Sequence, residues 1–200
     1  IRLVLVLMGI VLRGSAFTFR TYDDGADEVQ RRWGRIFSIT SLITPVLLGV
    51  VVGAISSGRI QSKDGVVTTG FVHSWLTPFS FAVGFFALAL FAFLAAVYLT
   101  VEAQDDALRE DFRRRALVTA VLVGVLAQVV FLLSAQGAPE IRRGLSASFW
   151  TWPLQIATAL AAISAIGCLW RRKFQLARLA AAAQVALILW GWAAAMFPHL

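Results

Sequence analysis

From Trp75 to Val101 the sequence runs without one charged side chain, and it does so again from Ala116 to Ala135. About 20 consecutive apolar residues are what a helix needs to cross the hydrocarbon of a bilayer. A soluble domain alternates apolar and polar faces far more often. Inside lipid every backbone N–H and C=O must be satisfied within the chain, which leaves helices as the solution for runs of this length. Further apolar runs lie at about 33–57, 150–170 and 176–197, and one more at 1–21. The expected fold class is therefore all-α: a polytopic transmembrane helix bundle of six helices, forming a single transmembrane domain over 1–200.

Charge supports this division. A net charge of +7 would point to nucleic acid in a soluble protein. Here 59% of residues are hydrophobic, and the cations sit in short loops between apolar runs. Arg20, Arg31, Arg32 and Arg35 follow the first run, Arg109, Arg113, Arg114 and Arg115 the third, and Arg171, Arg172, Lys173 and Arg178 the fifth. The alternate loops hold only Arg59 and Lys63, then Arg142 and Arg143. Such alternation is what the positive-inside rule gives for consecutive spans, so the richer loops are expected on the cytoplasmic side. The chain begins at Ile1 without a methionine, inside an apolar run, and reads as a fragment of a longer membrane protein.

Helix entries carry their own signals. Trp75-Leu76-Thr77-Pro78 and Trp150-Thr151-Trp152-Pro153 each place an interfacial tryptophan ahead of a first-turn proline. Pro45 lies within the second run, where a membrane helix tolerates it if neighbours satisfy the freed carbonyl. Gly49 and Gly53, four apart, present a face that a second backbone can approach closely, and simple packing explains them.

Residues able to carry chemistry are few. Proton and cation pathways through membranes usually need carboxylates, yet all 11 acidic residues lie in or beside loops. His73 and His199 sit at expected helix ends, where two histidines make poor facing ligands for a haem. Met8 and Met196 read as lipid-facing or core filler rather than axial ligands. Cys168 is the only cysteine, so no intrachain disulfide forms. No phosphate loop, zinc spacing or nucleophile elbow is present, and neither a catalytic residue nor a metal site is assigned.

Arg13 stands apart. With Arg20 it forms an i, i+7 pair on one helical face, but it lies about 10 Å deeper along the axis. Two accounts stay open. Arg13 snorkels to the interface with its stem in lipid, or it faces protein and pairs with an acid, a cofactor group or backbone carbonyls. Tyr98, deep in the third run, needs a hydroxyl partner if it is buried.

The stretch around Arg13 also carries a resemblance. Leu12-Arg13-Gly14-Ser15-Ala16-Phe17-Thr18-Phe19-Arg20 resembles the arginine-glycine-x-x-phenylalanine-acid-phenylalanine-arginine signature of subunit II of cytochrome bd-type quinol oxidases. Leu76-Thr77-Pro78-Phe79, then Gly84 and Ala96-Val97-Tyr98-Leu99, resembles that family's helix with a Pro-Phe entry and a Tyr-Leu exit. Ala195-Met196-Phe197-Pro198 is similar to its Met-Phe-Pro at the outer end of a late helix. Thr18 departs from the pattern, because the family usually has a carboxylate there, and Glu102-Ala103-Gln104 replaces a glutamate-glycine pair.

The resemblance implies what composition could not. Family members have about nine helices, so the six here would be helices three to eight, without the first two and the last. The implied function is that of the haem-free subunit II of a terminal oxidase in a respiratory chain. Such a complex oxidises quinol and reduces oxygen to water, and this subunit supports the haem-bearing subunit I in the bacterial cytoplasmic (inner) membrane. Haems b and d are expected in that partner and no cofactor in this chain, with a structural quinone or a proton path as candidate features of subunit II. The functional candidates are then Arg13, Phe17, Arg20 and Tyr98, with Pro78 and Phe79 as a helix-entry motif. The competing function is that of a solute transporter or permease fragment, which would need a midplane cavity made by broken helices.

Overall fold

A computed structural model describes residues 2–22, 27–58, 62–63, 66–67, 75–147 and 151–196. Its elements are α1 (Arg2–Tyr22), α2 (Asp27–Ser56), β1 (Ser62–Lys63), β2 (Val66–Val67), α3 (Pro78–Glu102), α4 (Asp106–Gly137), α5 (Pro139–Ala147), α6 (Thr151–Trp170) and α7 (Phe174–Met196). The helical class stands, with one small addition: β1 and β2 form a two-residue antiparallel ladder, Ser62 opposite Val67 and Lys63 opposite Val66.

The expected count of six helices needs correction to seven among the described residues. The extra one is α5, a nine-residue helix too short to span. Its origin is local: α4 ends at Ala138, and Pro139, which lacks an N–H, starts a new helix at its first position. Five helical stretches are long and apolar enough to cross a membrane: Arg31–Ser56 and helices α3, α4, α6 and α7. The apolar stretch of α1 is shorter, Val6–Ser15. Arg13 falls within it.

Boundaries shifted where charge was read as loop. Helix α4 starts at Asp106 rather than near Ala116, because Asp105 caps it, its carboxylate accepting from the Leu108 N–H at 3.3 Å. Ion pairs at i, i+3 and i, i+4 then run up the first turns: Asp106 with Arg109 at 2.8 Å, Glu110 with Arg113 at 2.5 Å, and Asp111 with Arg115 at 2.8 Å. Helix α3 starts at Pro78 rather than Trp75, since Thr77 is extended (φ −113, ψ 147) and its hydroxyl caps the Ser80 N–H at 3.1 Å.

Small residues set how closely the helices pack. At the α2–α3 crossing a methyl group on Gly49 would lie 2.7 Å from Gly84 Cα and 2.7 Å from the Val83 carbonyl oxygen. One on Gly53 would lie 2.8 Å from Ser80 Cα. These pairings show that α2 and α3 run antiparallel. A second cluster joins α3, α4, α6 and α7 around fully buried Phe93, Val97 and Leu169, with Ala116, Ala165, Ala177 and Ala181 at 0% exposure. Alanine contacts of that kind let helices approach where water offers no hydrophobic drive. A third cluster closes the opposite end: Phe79, Ala138, Ile141, Ala195 and Met196. Met196 is thus core filler, while Met8 is 57% exposed.

Trp192 of α7 ties that opposite end to α2, its Nε1 donating to Ser56 Oγ at 2.8 Å. Ser56 is buried. A hydrogen bond of this kind contributes about 1 kcal/mol within a membrane. Trp192→Phe should therefore lower unfolding stability by about 1 kcal/mol in a detergent-denaturation titration followed by helical circular dichroism. Adding Ser56→Ala to Trp192→Phe should cost little more; additive losses would show that the bond is not what the tryptophan provides.

Candidate functional site

Helix α1 lies antiparallel to α2, with Gly9 facing Thr44 and Arg13 facing Phe37. The Gly9–Thr44 approach is close: a methyl group on Gly9 would fall 2.6 Å from Thr44 Oγ1. Along this seam Thr44 Oγ1 and Ser41 Oγ are buried without a hydrogen-bond partner among the described residues. The outer face of α1 is uncovered, with Val4, Leu7, Met8, Ile10 and Val11 all more than half exposed.

Arg13 lies instead on the side towards α2, one turn on from Gly9. It is exposed, and its guanidinium lies 5.6 Å from the centroid of the Phe37 ring, within cation–π range. No acidic residue among the described residues pairs with it. A methyl group on neighbouring Gly14 would meet nothing within 4 Å, so this chain leaves open space beside the arginine. Thr18 supplies no substitute for a carboxylate, because its hydroxyl donates to the Gly14 carbonyl of its own helix at 3.1 Å. The backbones of Phe17 and Arg20 belong to α1, but their side chains fall outside the described residues.

Tyr98 lies elsewhere, towards the end of α3, and is 37% exposed rather than buried. Its ring takes the Arg178 guanidinium 4.4 Å from the centroid. Arg178 also reaches Glu102 at 3.7 Å. Arg13 and Tyr98 therefore sit on different seams and do not form one site. Pro78 and Phe79 serve packing: Pro78 opens α3, and Phe79 is buried against Gly137, where no Cβ would fit.

A second charged constellation went unnoticed as such in the sequence. Glu110 accepts from Arg113 Nε through both carboxylate oxygens, at 3.0 and 2.9 Å, and Arg172 Nη2 reaches it from the α6–α7 turn at 3.4 Å. Arg109 donates to Asp106 and to the Ala103 carbonyl at 2.7 Å, and it lies 6.0 Å from the centroid of the Phe174 ring. The i, i+3 spacing of Glu110 and Arg113 was legible in sequence. The reach of Arg172 was not, since it depends on two hairpins meeting. Because α2 runs antiparallel to α3, the end of the bundle holding Glu102 also holds Arg31, Arg32 and Arg35. All three arginine-rich regions therefore share one end of the bundle.

Arg172 is held unusually. It is the one non-glycine residue with positive φ among the described residues, at 56°. Its N–H bonds the Leu169 carbonyl at 3.3 Å, and the Lys173 N–H bonds the Cys168 carbonyl at 2.8 Å. That pattern is a Schellman cap with arginine where glycine normally stands, at a cost of about 1 kcal/mol.

Metal-ligand grouping is absent among the described residues, and His73 and His199 fall outside them.

The family profile for cytochrome bd terminal oxidase subunit II matches residues 1–200. The chain belongs to that family. No curated relative matches the sequence. Among solved structures, the bd oxidase from Geobacillus thermodenitrificans is similar, with a TM-score of 0.81 at 21% identity over 99% of this chain. The match covers 59% of that protein's chain, so this subunit II sequence spans less than two thirds of its length. At this identity the likeness establishes a shared fold. Together with five long apolar helices, family membership makes the protein a multi-pass membrane protein.

Proposed function

We propose that this chain serves as the haem-free subunit II of a terminal oxidase that oxidises quinol and reduces oxygen to water in a bacterial cytoplasmic membrane. Haems b and d belong to a partner subunit I in this reading, and this chain performs no electron transfer of its own. Its work is to seat and stabilise that partner, with a structural quinone as an optional occupant. Family membership over residues 1–200 supports the assignment. The observation that carries the seating role is α1 itself: its outer face is apolar and uncovered, and Arg13, on the side towards α2, is exposed with no acid beside it in the described structure. A cation at this depth of an apolar helix is costly in lipid and calls for a partner carrying the opposite charge.

Solute transport would call for a midplane cavity made by broken helices. Helix α2 continues through Pro45 without interruption.

The test is to express the full-length protein with and without its haem-bearing partner and record reduced-minus-oxidised spectra of each purified product. Haem absorbance should follow the partner and be missing from this subunit purified alone. A haem signal of comparable intensity in the isolated subunit would overturn the assignment.

A further inference from the structure

The basic end of the bundle contains a cleft of about 480 Å³ between the α3–α4 hairpin and the start of α7. Arg109, Arg172, Lys173 and Gln175 line its polar side; Val101 and Leu176 line its apolar side. We propose that this cleft binds an anionic phospholipid, with the headgroup phosphate among Arg109, Arg172 and Lys173 and an acyl chain descending past Val101 and Leu176.

Charge is the first support. Glu110 is already held by both of its oxygens on Arg113, so the additional contact from Arg172, at 3.4 Å, leaves that cation incompletely neutralised. Lys173 has no acidic partner among the described residues. Arg114 adds a further cation 3.8 Å from the same carboxylate. Asp106 takes Arg109 at 2.8 Å and Glu102, next to Val101, takes Arg178 at 3.7 Å, yet Arg109, Arg113, Arg114, Arg172, Lys173 and Arg178 still outnumber the carboxylates Glu102, Asp106 and Glu110.

Backbone conformation is the second. Glycine would satisfy the α6–α7 turn at φ 56° more cheaply, yet arginine stands there and lines the cleft. Depth is the third. The cleft lies where α3 ends and α7 begins, at the level where phospholipid headgroups meet the helix ends. Basic pockets between membrane helices at the positive end are where anionic headgroups lodge. Leu176 is 51% exposed and Leu179, almost one turn further along α7, is 66% exposed, which gives an acyl chain an apolar track. That track favours a lipid over free phosphate. The inference rests on membrane insertion and does not depend on the oxidase assignment.

The test uses the full-length protein as it assembles in its membrane, purified and delipidated in a neutral detergent. Dioleoyl-phosphatidylglycerol, dioleoyl-phosphatidylcholine and inorganic phosphate are added separately, and bound lipid is counted by native mass spectrometry. Wild type should retain phosphatidylglycerol in preference to phosphatidylcholine, and inorganic phosphate should not displace it. Arg172→Gly should weaken retention roughly fivefold, the effect of one cation near a headgroup, without lowering the thermal midpoint of the lipid-free protein, because glycine suits that turn. Combining Arg172→Gly with Arg109→Gln and Lys173→Gln should weaken retention on the order of a hundredfold. Equal retention by wild type and the triple variant would sink the proposal. So would equal retention of the two lipids, or displacement of phosphatidylglycerol by inorganic phosphate.

Discussion

Gly84→Leu should prevent α2 from seating on α3 and leave little folded protein. Even a methyl group at Gly84 would lie 2.8 Å from the Val46 carbonyl oxygen and 2.9 Å from Val50 Cγ2. On the other side of the crossing, Gly49 faces Gly84 Cα and the Val83 carbonyl oxygen, each 2.7 Å from a built methyl group. The Val46 and Val83 carbonyl oxygens and Gly84 Cα are backbone atoms, so a rotamer change cannot relieve the clash. Overpacking costs about 1–3 kcal/mol when side chains can give way, and more here, where helices must separate. Gly84→Ala should therefore lose about 3 kcal/mol in a detergent-denaturation titration, and Gly84→Leu should fail to give monodisperse protein. Gly124→Ala and Gly167→Ala are the controls: nothing lies within 4 Å of either methyl group. Both should match or exceed wild type, since alanine favours a helix over glycine by about 1 kcal/mol. If Gly84→Leu folded as well as those controls, the antiparallel α2–α3 contact would be wrong.

Arg13→Leu is the second variant with a large expected effect. Under the proposed function, Arg13 meets a carboxylate or equivalent acceptor outside the described residues. Removing one member of a desolvated pair leaves the other charge stranded, at a cost of about 3 kcal/mol or more. Recovery of the assembled oxidase should fall at least about tenfold, and quinol oxidase activity of membranes should fall with it. Arg13→Lys keeps the charge but loses the fork and the flat contact over Phe37. It should retain part of the assembly. Snorkelling predicts the opposite outcome for Arg13→Leu: undiminished assembly and undiminished turnover, because leucine suits lipid better than arginine does.

The parts of the fold legible in sequence were those governed by transfer from water to lipid. The runs near Val97, Val123 and Ala181 were apolar beyond ambiguity, and the structure turns each into a helix. What was not legible came from local competition at the membrane's edge. Asp105 and the ion pairs of Glu110 and Asp111 turn a charged linker into helix, because capping and i, i+4 pairing outweigh the polarity that suggests a loop. Pro139 splits what looked like one outer loop into a helix end and a new helix start. The candidate site divided for a different reason. Arg13 and Tyr98 belong to different helices, and sequence periodicity gives the face of each helix but not which faces meet. Thr18 was recognised as a departure from its family. Its hydroxyl bond to Gly14 is a detail that only the backbone geometry supplies.

The capped start of α4 has a dynamic consequence. A flexible linker between Glu102 and Ala116 would let α4 slide against α3. The capped turn removes that freedom: Asp105 and the ion pairs of Asp106, Glu110 and Asp111 keep α4 helical down to its first residues. Helices α3 and α4 then move as one block at this end. Slow rearrangement in this subunit is left to the α1–α2 seam, where two buried hydroxyls lack partners among the described residues.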